Sequence, residues 1–407
     1  MKRIIFLNRF FFPDHSASSQ LLSDLAFYLA ECGRDVHIIT SRQLYENAKA
    51  NLPARETVKG VTVHRIFSTQ FGRANLAGRA LDYLTFYLSM ILKLIAFATT
   101  GDVIVAKTDP PLVSIIAMWA AQLRGAKLVN WLQDIYPEIA RESEIPFTKG
   151  ASGRVLSLLR NNSLKSAAAN VAVGEDMASH IISIGVTPNR VRIISNWCND
   201  ENITPIPPIA NPLRHTWKLQ EKFVIGYSGN LGRGHEFETM LSASKMFRGN
   251  SQIIFLLIGG GNKLEEYKNR VSAEGLDSIY RFYPYQDREM LKYSLSVPDV
   301  HWLSLRPALS RFMFPSKFYG VAAAGRPILA LTGKDGEIAK LLETYECGYA
   351  LEPGDVSGTF DAIGLLSRDR ALCQKMGFNA RAMLDLKFTR ARQLNLWKEL
   401  LDQVVSS

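Results

Sequence analysis

Cysteine is scarce in this chain. There are four in 407 residues (Cys32, Cys198, Cys347 and Cys373), widely scattered and with no CxxC pair among them. That spacing excludes a disulfide-stapled scaffold and suits reduced thiols in the cytosol. No Asp-x-Asp occurs, and the seven histidines form no ligand-spaced pair, so no metal site is expected. Neither GxGxxG nor GxxxxGK[ST] can be drawn through the glycines, which argues against a dehydrogenase or a P-loop ATPase. Repeats of solenoid or propeller type and low-complexity tracts are also missing. The basic, apolar start is too short for a signal peptide, because Ile4–Leu7 is broken by Asn8 and Arg9. It reads as a first strand.

Long apolar runs are equally rare. The exception, Tyr83 to Thr100, holds 18 residues with one charge, Lys93, and four aromatics. It sits inside a regular α/β series and reads as a core helix, or one with an exposed apolar face, rather than a membrane span. Aromatics beside Arg73 and Arg79 and the basic stretch Lys149–Lys165 suit a peripheral contact with an anionic membrane as well as they suit plain burial. Net charge is +10. Residues 1–198 carry 22 basic against 15 acidic side chains, and residues 199–407 carry 26 against 23. A basic first half fits an anionic partner. With no dense basic stripe and no recognisable motif, nucleic acid is the weakest candidate.

What is present is alternation. Strand candidates Ile4–Leu7, Asp35–Thr40, Val61–Ile66, Val103–Ala106, Leu128–Trp131, Asn170–Val173 and Val191–Ile194 are separated by helical patterns such as Ser19–Glu31 and Pro111–Leu123. Such a series predicts a parallel sheet covered on both faces. A proline-rich stretch from Thr204 interrupts it. A second series follows at Phe223–Gly226, Ile253–Ile258, Ile279–Tyr283, His301–Leu305 and Ile328–Leu331, and an amphipathic helical segment runs from Asn379 to Val404. The architecture expected is α/β, with two doubly wound domains whose ligands lie beyond the carboxyl ends of the strands. Its boundaries are 1–198, a linker 199–212, 213–385, and a C-terminal helix 386–407 with room to pack back on the first domain.

Phe314 to Pro327 is the most informative stretch. Pro315 suits a first helical turn, Gly325 a left-handed stop, and Pro327 forbids continuation, which predicts a helix of about ten residues. Its free amides, with Ser316 and Lys317 in the first turn, make an anion site. Earlier, Gly229, Asn230, Gly232 and Gly234 follow a strand, with Arg233 suited to phosphate oxygens. Gly259, Gly260 and Gly261 end the next strand, and Phe282 and Tyr283 offer rings to a base.

In this order and spacing the stretches Gly226–Gly232, Ile258–Gly261, Phe282–Tyr285, Pro315–Lys317 and Ala323–Pro327 resemble the C-terminal half of retaining GT-B glycosyltransferases of family 4. Asn8–Ser19 resembles that family's first loop, and Trp131–Glu138 resembles its branch that builds bacterial surface polysaccharides. The likeness covers nearly the whole chain. It implies a GT-B fold, two Rossmann-like domains facing each other across a cleft, with the acceptor on the first and a nucleotide sugar on the second. It also implies metal-independent transfer, the leaving diphosphate being neutralised by a helix terminus and cations.

By that resemblance Arg233 and Lys317 bind the diphosphate, with Ser316 adding a hydroxyl and amide. Ser16, Gly229, Asn230, Gly232, Gly260, Phe282, Tyr283, Arg311 and Tyr319 complete the donor side. Asp134 stands where many members have an active-site histidine. A carboxylate there suits catalysis at the acceptor or the sugar ring, and equally a helix cap ahead of Ile135. His15 and Lys107 fall on the acceptor side, Lys107 toward an acceptor phosphate or simply into solvent. Two family glutamates are replaced by Phe312 and Gly320, neither of which accepts a hydrogen bond through its side chain. The expected activity is transfer from a UDP-hexose, UDP favoured over GDP, to a lipid-linked or polysaccharide acceptor, at the cytoplasmic face of a membrane and with no cofactor. A sugar-nucleotide 2-epimerase and a non-catalytic nucleotide-sugar binder are the rival readings.

Overall fold

The computed structural model describes residues 2–72, 76–142, 148, 150–232 and 234–406. Two compact units emerge. One comprises Met1–Ser195, Phe312–Phe314 and Gln393–Ser407, and the other Asn196–Arg311 and Pro315–Arg392.

Among the described residues, the first unit is built on eight strands: β1 (Ile4–Leu7), β2 (Val36–Ser41), β3 (Arg55–Val58), β4 (Val61–Ile66), β5 (Val103–Lys107), β6 (Lys127–Leu132), β7 (Ala169–Ala172) and β8 (Val191–Ile193). Their order is β3-β4-β2-β1-β5-β6-β7-β8. All neighbours are parallel except the β3–β4 hairpin, whose two-residue turn puts Lys59 at φ 46° and Gly60 at φ 80°. β1, β2 and β5 are buried along their whole length, as apolar runs in a covered parallel sheet must be. The helices are α1 (Ala17–Glu31), α2 (Leu76–Phe97), α3 (Val113–Arg124), α4 (Glu138–Glu142), α5 (Gly150–Ser166) and α6 (Glu175–Ser183). By length and composition the segment Ala77–Phe97 is able to cross a membrane. Instead Phe86, Met90 and Leu94 sit at 0% exposure against Ile5, Leu7 and Ile104 of the sheet.

The second unit has β9 (Phe223–Asn230), β10 (Ile253–Gly260), β11 (Tyr280–Tyr283), β12 (Val300–Ser304), β13 (Ile328–Leu331) and β14 (Gly348–Leu351). They form a parallel sheet in the order β11-β10-β9-β12-β13-β14. Its helices are α7 (Pro212–Thr216), α8 (Glu238–Lys245), α9 (Leu264–Ala273), α10 (Leu291–Ser296), α11 (Lys317–Ala323), α12 (Glu337–Thr344), α13 (Val356–Arg368) and α14 (Arg370–Lys387). The last helix, α15 (Arg390–Ser406), belongs to the first unit from Gln393 onward. There Trp397 lies 4.6 Å from Trp131, ring to ring, and Lys127 Nζ donates to Val404 O at 2.9 Å.

The elements depart from the sequence reading in ways that bear on the site. β9 and β10 run on through their glycines to Asn230 and Gly260, so those residues are strand ends rather than loops. Gly259 takes φ 134°, and a Cβ there would stand 2.3 Å from Gly229 O, a backbone approach only glycine permits. α11 is shorter than expected: seven residues from Lys317, with Ser316 as N-cap. The terminal segment is two helices, separated at Phe388, rather than one. Among the parallel strands of each sheet the order reverses once, between β1 and β5 and between β9 and β12, and those carboxyl ends are where a ligand crevice forms.

Candidate active site

In the second unit the crevice end of β9 and β12 gathers Tyr227, Gly229, His235, Ser304 and Lys317. Lys317, in the first turn of α11, lays Nζ 3.9 Å over the centroid of the Tyr227 ring and donates to its hydroxyl. The Tyr227 hydroxyl in turn donates to Asn230 O at 2.8 Å. Gly229 borders the pair. Its φ of 128° is one that side chains rarely adopt, and a Cβ there would be in ordinary contact with Lys317 Cε at 3.6 Å. Burial strips water from the ammonium and pulls its pKa down to about 7. Among the described residues no carboxylate offsets that loss. His235 lies across from Tyr227, its Nδ1 2.7 Å from Ser304 O. Burial first, and the Lys317 charge second, bring its pKa to about 4, so the ring is neutral at pH 7. A seven-residue helix has a modest dipole, so Lys317 itself is the larger part of the positive charge.

In the first unit β5 and β6 end beside each other. Lys107 closes β5 at 0% exposure, with Nζ 3.3 Å from the Trp131 ring centroid and no hydrogen-bond acceptor among the described residues. It is not the solvated loop lysine its position suggests. Burial lowers its pKa well below the usual range, while Asp109 and Asp134 act to raise it. Thr108 Oγ1 donates to Trp131 O at 3.3 Å and accepts from the amides of Gln133 and Asp134 at 2.8 and 3.4 Å. The backbone of Asp134 bridges to Met313, and Ile135 N donates to Phe312 O at 2.9 Å. α4 starts only at Glu138, which removes the capping role for Asp134. Burial, then Asp109, raise the Asp134 pKa to about 6, against the pull of Lys107. It remains ionised at neutral pH and holds a proton more readily than an ordinary carboxylate.

The remaining expected residues divide. Arg233 lies outside the described residues. Ser316 is exposed, its hydroxyl unused in capping, and Arg311 is exposed. Gly232 lies where a Cβ would stand 3.3 Å from Asn230 Nδ2. Ser16 is committed to Asp14 Oδ1, at 2.5 Å from its hydroxyl and 2.8 Å from its amide. His15 is exposed, its carbonyl accepting from Gln20 Nε2 at 2.6 Å.

Three ring placements correct the sequence reading. Tyr319 is 1% exposed and packs on Phe318 and Phe388, so its side chain lies in the interior rather than on the open surface the donor role calls for. Phe282 stacks one face on Tyr280, and Tyr283 one face on Trp217 at 3.9 Å and 11°, so each has at most its other face for a base. The exposed aromatic beside Gly260 is Tyr285, where a Cβ on the glycine would stand 3.0 Å from its ring. At the two replaced family positions, Phe312 packs edge-on against His180 at 5.0 Å. Gly320 is enclosed, with a Cβ landing 3.3 Å from Leu295 Cδ1. Sequence reasoning missed His235 and Trp217, which no motif marks, and Tyr227, which stood unremarked inside the glycine stretch.

Comparison with known proteins agrees across both units. Residues 18–197 match the family model described as a glycosyl transferase 4-like domain, and residues 213–383 match that of glycosyl transferases group 1. A Pseudomonas aeruginosa protein named as a glycosyltransferase, WbjE, is 26% identical over 289 residues, 70% of this chain and 72% of that one. An Escherichia coli K12 protein named as a colanic acid biosynthesis glycosyl transferase, WcaI, is 24% identical over 364 residues, 86% and 88% of the two chains. Among solved structures, Anabaena HepE in complex with UDP-glucose has a TM-score of 0.73 at 16% identity, covering 99% of this chain and 100% of that one. At that identity the likeness is one of fold.

Proposed function

This chain belongs to the GT-B glycosyltransferases, and we propose that within them it transfers a hexose from a UDP-sugar to a lipid-linked or polysaccharide acceptor, retaining anomeric configuration and needing no metal. One observation carries the reading. Lys317 is a half-buried lysine, its pKa lowered to about 7, with no carboxylate partner among the described residues and held by Tyr227 of β9. A nucleoside diphosphate supplies the missing negative charge, and stabilising it as it departs is what lowers the barrier. Ser316, Gly229 and Arg233 complete this diphosphate site in the proposal. That HepE is a complex with UDP-glucose supports UDP as the nucleotide. That WcaI is named for colanic acid synthesis supports a surface-polysaccharide product.

Asp134 is assigned the acceptor side. Ionised at neutral pH but raised to about 6, it accepts a proton from an attacking hydroxyl better than an ordinary aspartate does. Lys107, within reach of its field, tunes that carboxylate. The four free cysteines fit work on the cytoplasmic side.

The test is acceptor-dependent release of UDP from a panel of UDP-hexoses, with a polyprenyl-diphosphate sugar as acceptor and EDTA present. Lys317→Ala is expected to lower turnover at least about tenfold, a loss of about 1.4 kcal/mol in transition-state stabilisation. The product's anomeric coupling constant reads retention. Unchanged turnover in the variant, a requirement for metal, or an inverted product would each overturn the corresponding part.

A further inference from the structure

One face of α2 is used neither by the core nor by the residues assigned above. Arg79, Tyr83 and Tyr87 stand four residues apart, the spacing of a single helical stripe, and all three are half-buried. Beside them Asp82 and Phe86 are at 0% exposure. The stripe borders the crevice end of the first sheet. Arg9, in the loop after β1, lays Cζ 4.9 Å from the Tyr83 ring centroid, and the Tyr87 hydroxyl donates to Pro111 O just beyond β5. From the loop after β6 come Asp134 and Tyr136, also half-buried. Arg160 Nη1 fixes that loop by donating to Tyr136 O at 2.9 Å. Burial, then the fields of Asp134, Tyr83 and Asp109, raise the Tyr136 hydroxyl above its ordinary pKa, and Arg79 pulls the other way. These side chains therefore converge at the ends of β5 and β6.

The cations gathered there are not equivalent. Arg9 is committed to Asp82 and Gln43. Lys107 turns its ammonium to Trp131 at 0% exposure, so it is not placed to meet an acceptor phosphate, the role its position in the sequence offers. Arg79 has no hydrogen bond or ion pair among the described residues. A solvated arginine near a helix start is ordinary, but this one is half-buried beside two tyrosines. Its planar guanidinium suits a phosphate, which takes two of its N–H groups at once. Tyrosine rings, with negative faces and a polar tip, suit a pyranose, whose polarised C–H bonds lie on the face while its hydroxyls reach the tip.

We propose that Arg79, Tyr83 and Tyr136 form a subsite for a phosphorylated sugar, the pyranose lying against the two tyrosine rings with a hydroxyl toward Asp134 and its phosphate meeting Arg79. Its use as the acceptor subsite rests on the reading of Asp134 above. The binding itself does not, because it is tested without turnover, and the two can fail separately.

The experiment is saturation-transfer NMR on the full chain with glucose, galactose and N-acetylglucosamine 1-phosphates, each against its methyl glycoside. Saturating UDP keeps the sugar phosphates off Lys317. At least one 1-phosphate is expected to bind, and more tightly than its methyl glycoside. Arg79→Gln should weaken the 1-phosphate at least about tenfold and leave the methyl glycoside unchanged. Tyr136→Leu and Tyr83→Leu should weaken both ligands at least about tenfold, whereas Tyr136→Phe, which keeps the ring, stays within about threefold of the wild type. UDP affinity at the wild-type value in every variant shows that they have folded. In transfer to a polyprenyl-diphosphate sugar, Arg79→Gln should raise the acceptor KM at least about tenfold with kcat within about threefold. That pattern of binding without any transfer would leave the subsite standing and remove the acceptor reading. No binding by any 1-phosphate overturns the proposal. So does an equal effect of Arg79→Gln on charged and neutral ligands, or an equal loss in Tyr136→Phe and Tyr136→Leu.

Discussion

Lys317 Nζ stands 3.9 Å over the ring of Tyr227, and among the described residues burial is the cause that lowers its pKa. The free enzyme is therefore poised near neutrality, with the ammonium half titrated at pH 7. A diphosphate stabilises the charged form and draws a proton in. The sign follows directly: below pH 7 the lysine is already charged, and above it binding must supply the proton. UDP affinity is expected to fall by up to about tenfold per pH unit above 7. Calorimetry at pH 8 in buffers of different ionisation enthalpy should show uptake of close to one proton, and Lys317→Met should show none. A dissociation constant flat from pH 7 to 9 in the wild type would remove Lys317 from the diphosphate site.

Asp134 couples stability to function in the opposite direction. Its folded pKa, about 6, lies above the ordinary 3.8, with burial the largest cause. A raised carboxylate costs stability as pH climbs through that interval, by at most about 3 kcal/mol once it is ionised. Asp134→Asn is expected to match the wild-type melting temperature near pH 4 and to exceed it above pH 7. Transfer should fall in the same variant. A variant less stable than the wild type at pH 8 would show that the carboxylate is a structural anchor.

Gly259→Ala tests the meeting of the two strand ends. The added methyl faces Gly229 O at 2.3 Å in a backbone at φ 134°, so β9 and β10 must part where Gly229 borders Lys317. A loss of about 2 kcal/mol or more in denaturant unfolding is expected, with weaker UDP binding. Gly275→Ala, with open space around its Cβ position but φ 65°, separates backbone strain from the clash. Equal losses in the two variants would dismiss the strand contact.

Both sheets were legible from alternation and apolar runs, because parallel strands buried on two faces leave that pattern. β3 and β14 were not. β3 is an edge strand of alternating exposure, Arg55-Glu56-Thr57-Val58, without an apolar run. β14 opens on Gly348, which reads as a turn. It is glycine because a Cβ would stand 1.9 Å from Ile328 O on the neighbouring strand. Lys317 was singled out because proline, serine and lysine before an alanine-rich helix form a local signal. Tyr227 and His235 are positioned by β9 and β12, which are adjacent only in the sheet, and no spacing along the chain reports it. The same holds for Lys107, whose burial depends on Trp131 from the next strand.

The Arg9–Asp82 pair joins the loop after β1 to α2 and offers the sharpest stability test. Both side chains are withdrawn from water, at 4 and 0% exposure, with Nη2 and Oδ2 3.3 Å apart. Asp82 also accepts from Thr69 Oγ1 at 2.8 Å and from the amides of Phe71 and Gly72 at 3.1 and 3.0 Å. Removing the carboxylate strands a buried guanidinium whose remaining side-chain acceptor is Gln43 Oε1 at 3.1 Å. Asp82→Ala is expected to cost about 3–5 kcal/mol in urea unfolding, and Asp82→Asn less, since the amide oxygen keeps part of the donor set. The double variant Arg9→Met/Asp82→Leu should recover most of the loss, because a buried pair exchanged for apolar groups of similar volume is close to neutral. That double variant is also informative for activity. If it restores stability but not transfer, Arg9 acts on the acceptor side as well as on the fold. If both return together, the pair only holds α2 in place. Loss below about 1 kcal/mol in Asp82→Ala would mean that this pair does not tie the loop after β1 to α2.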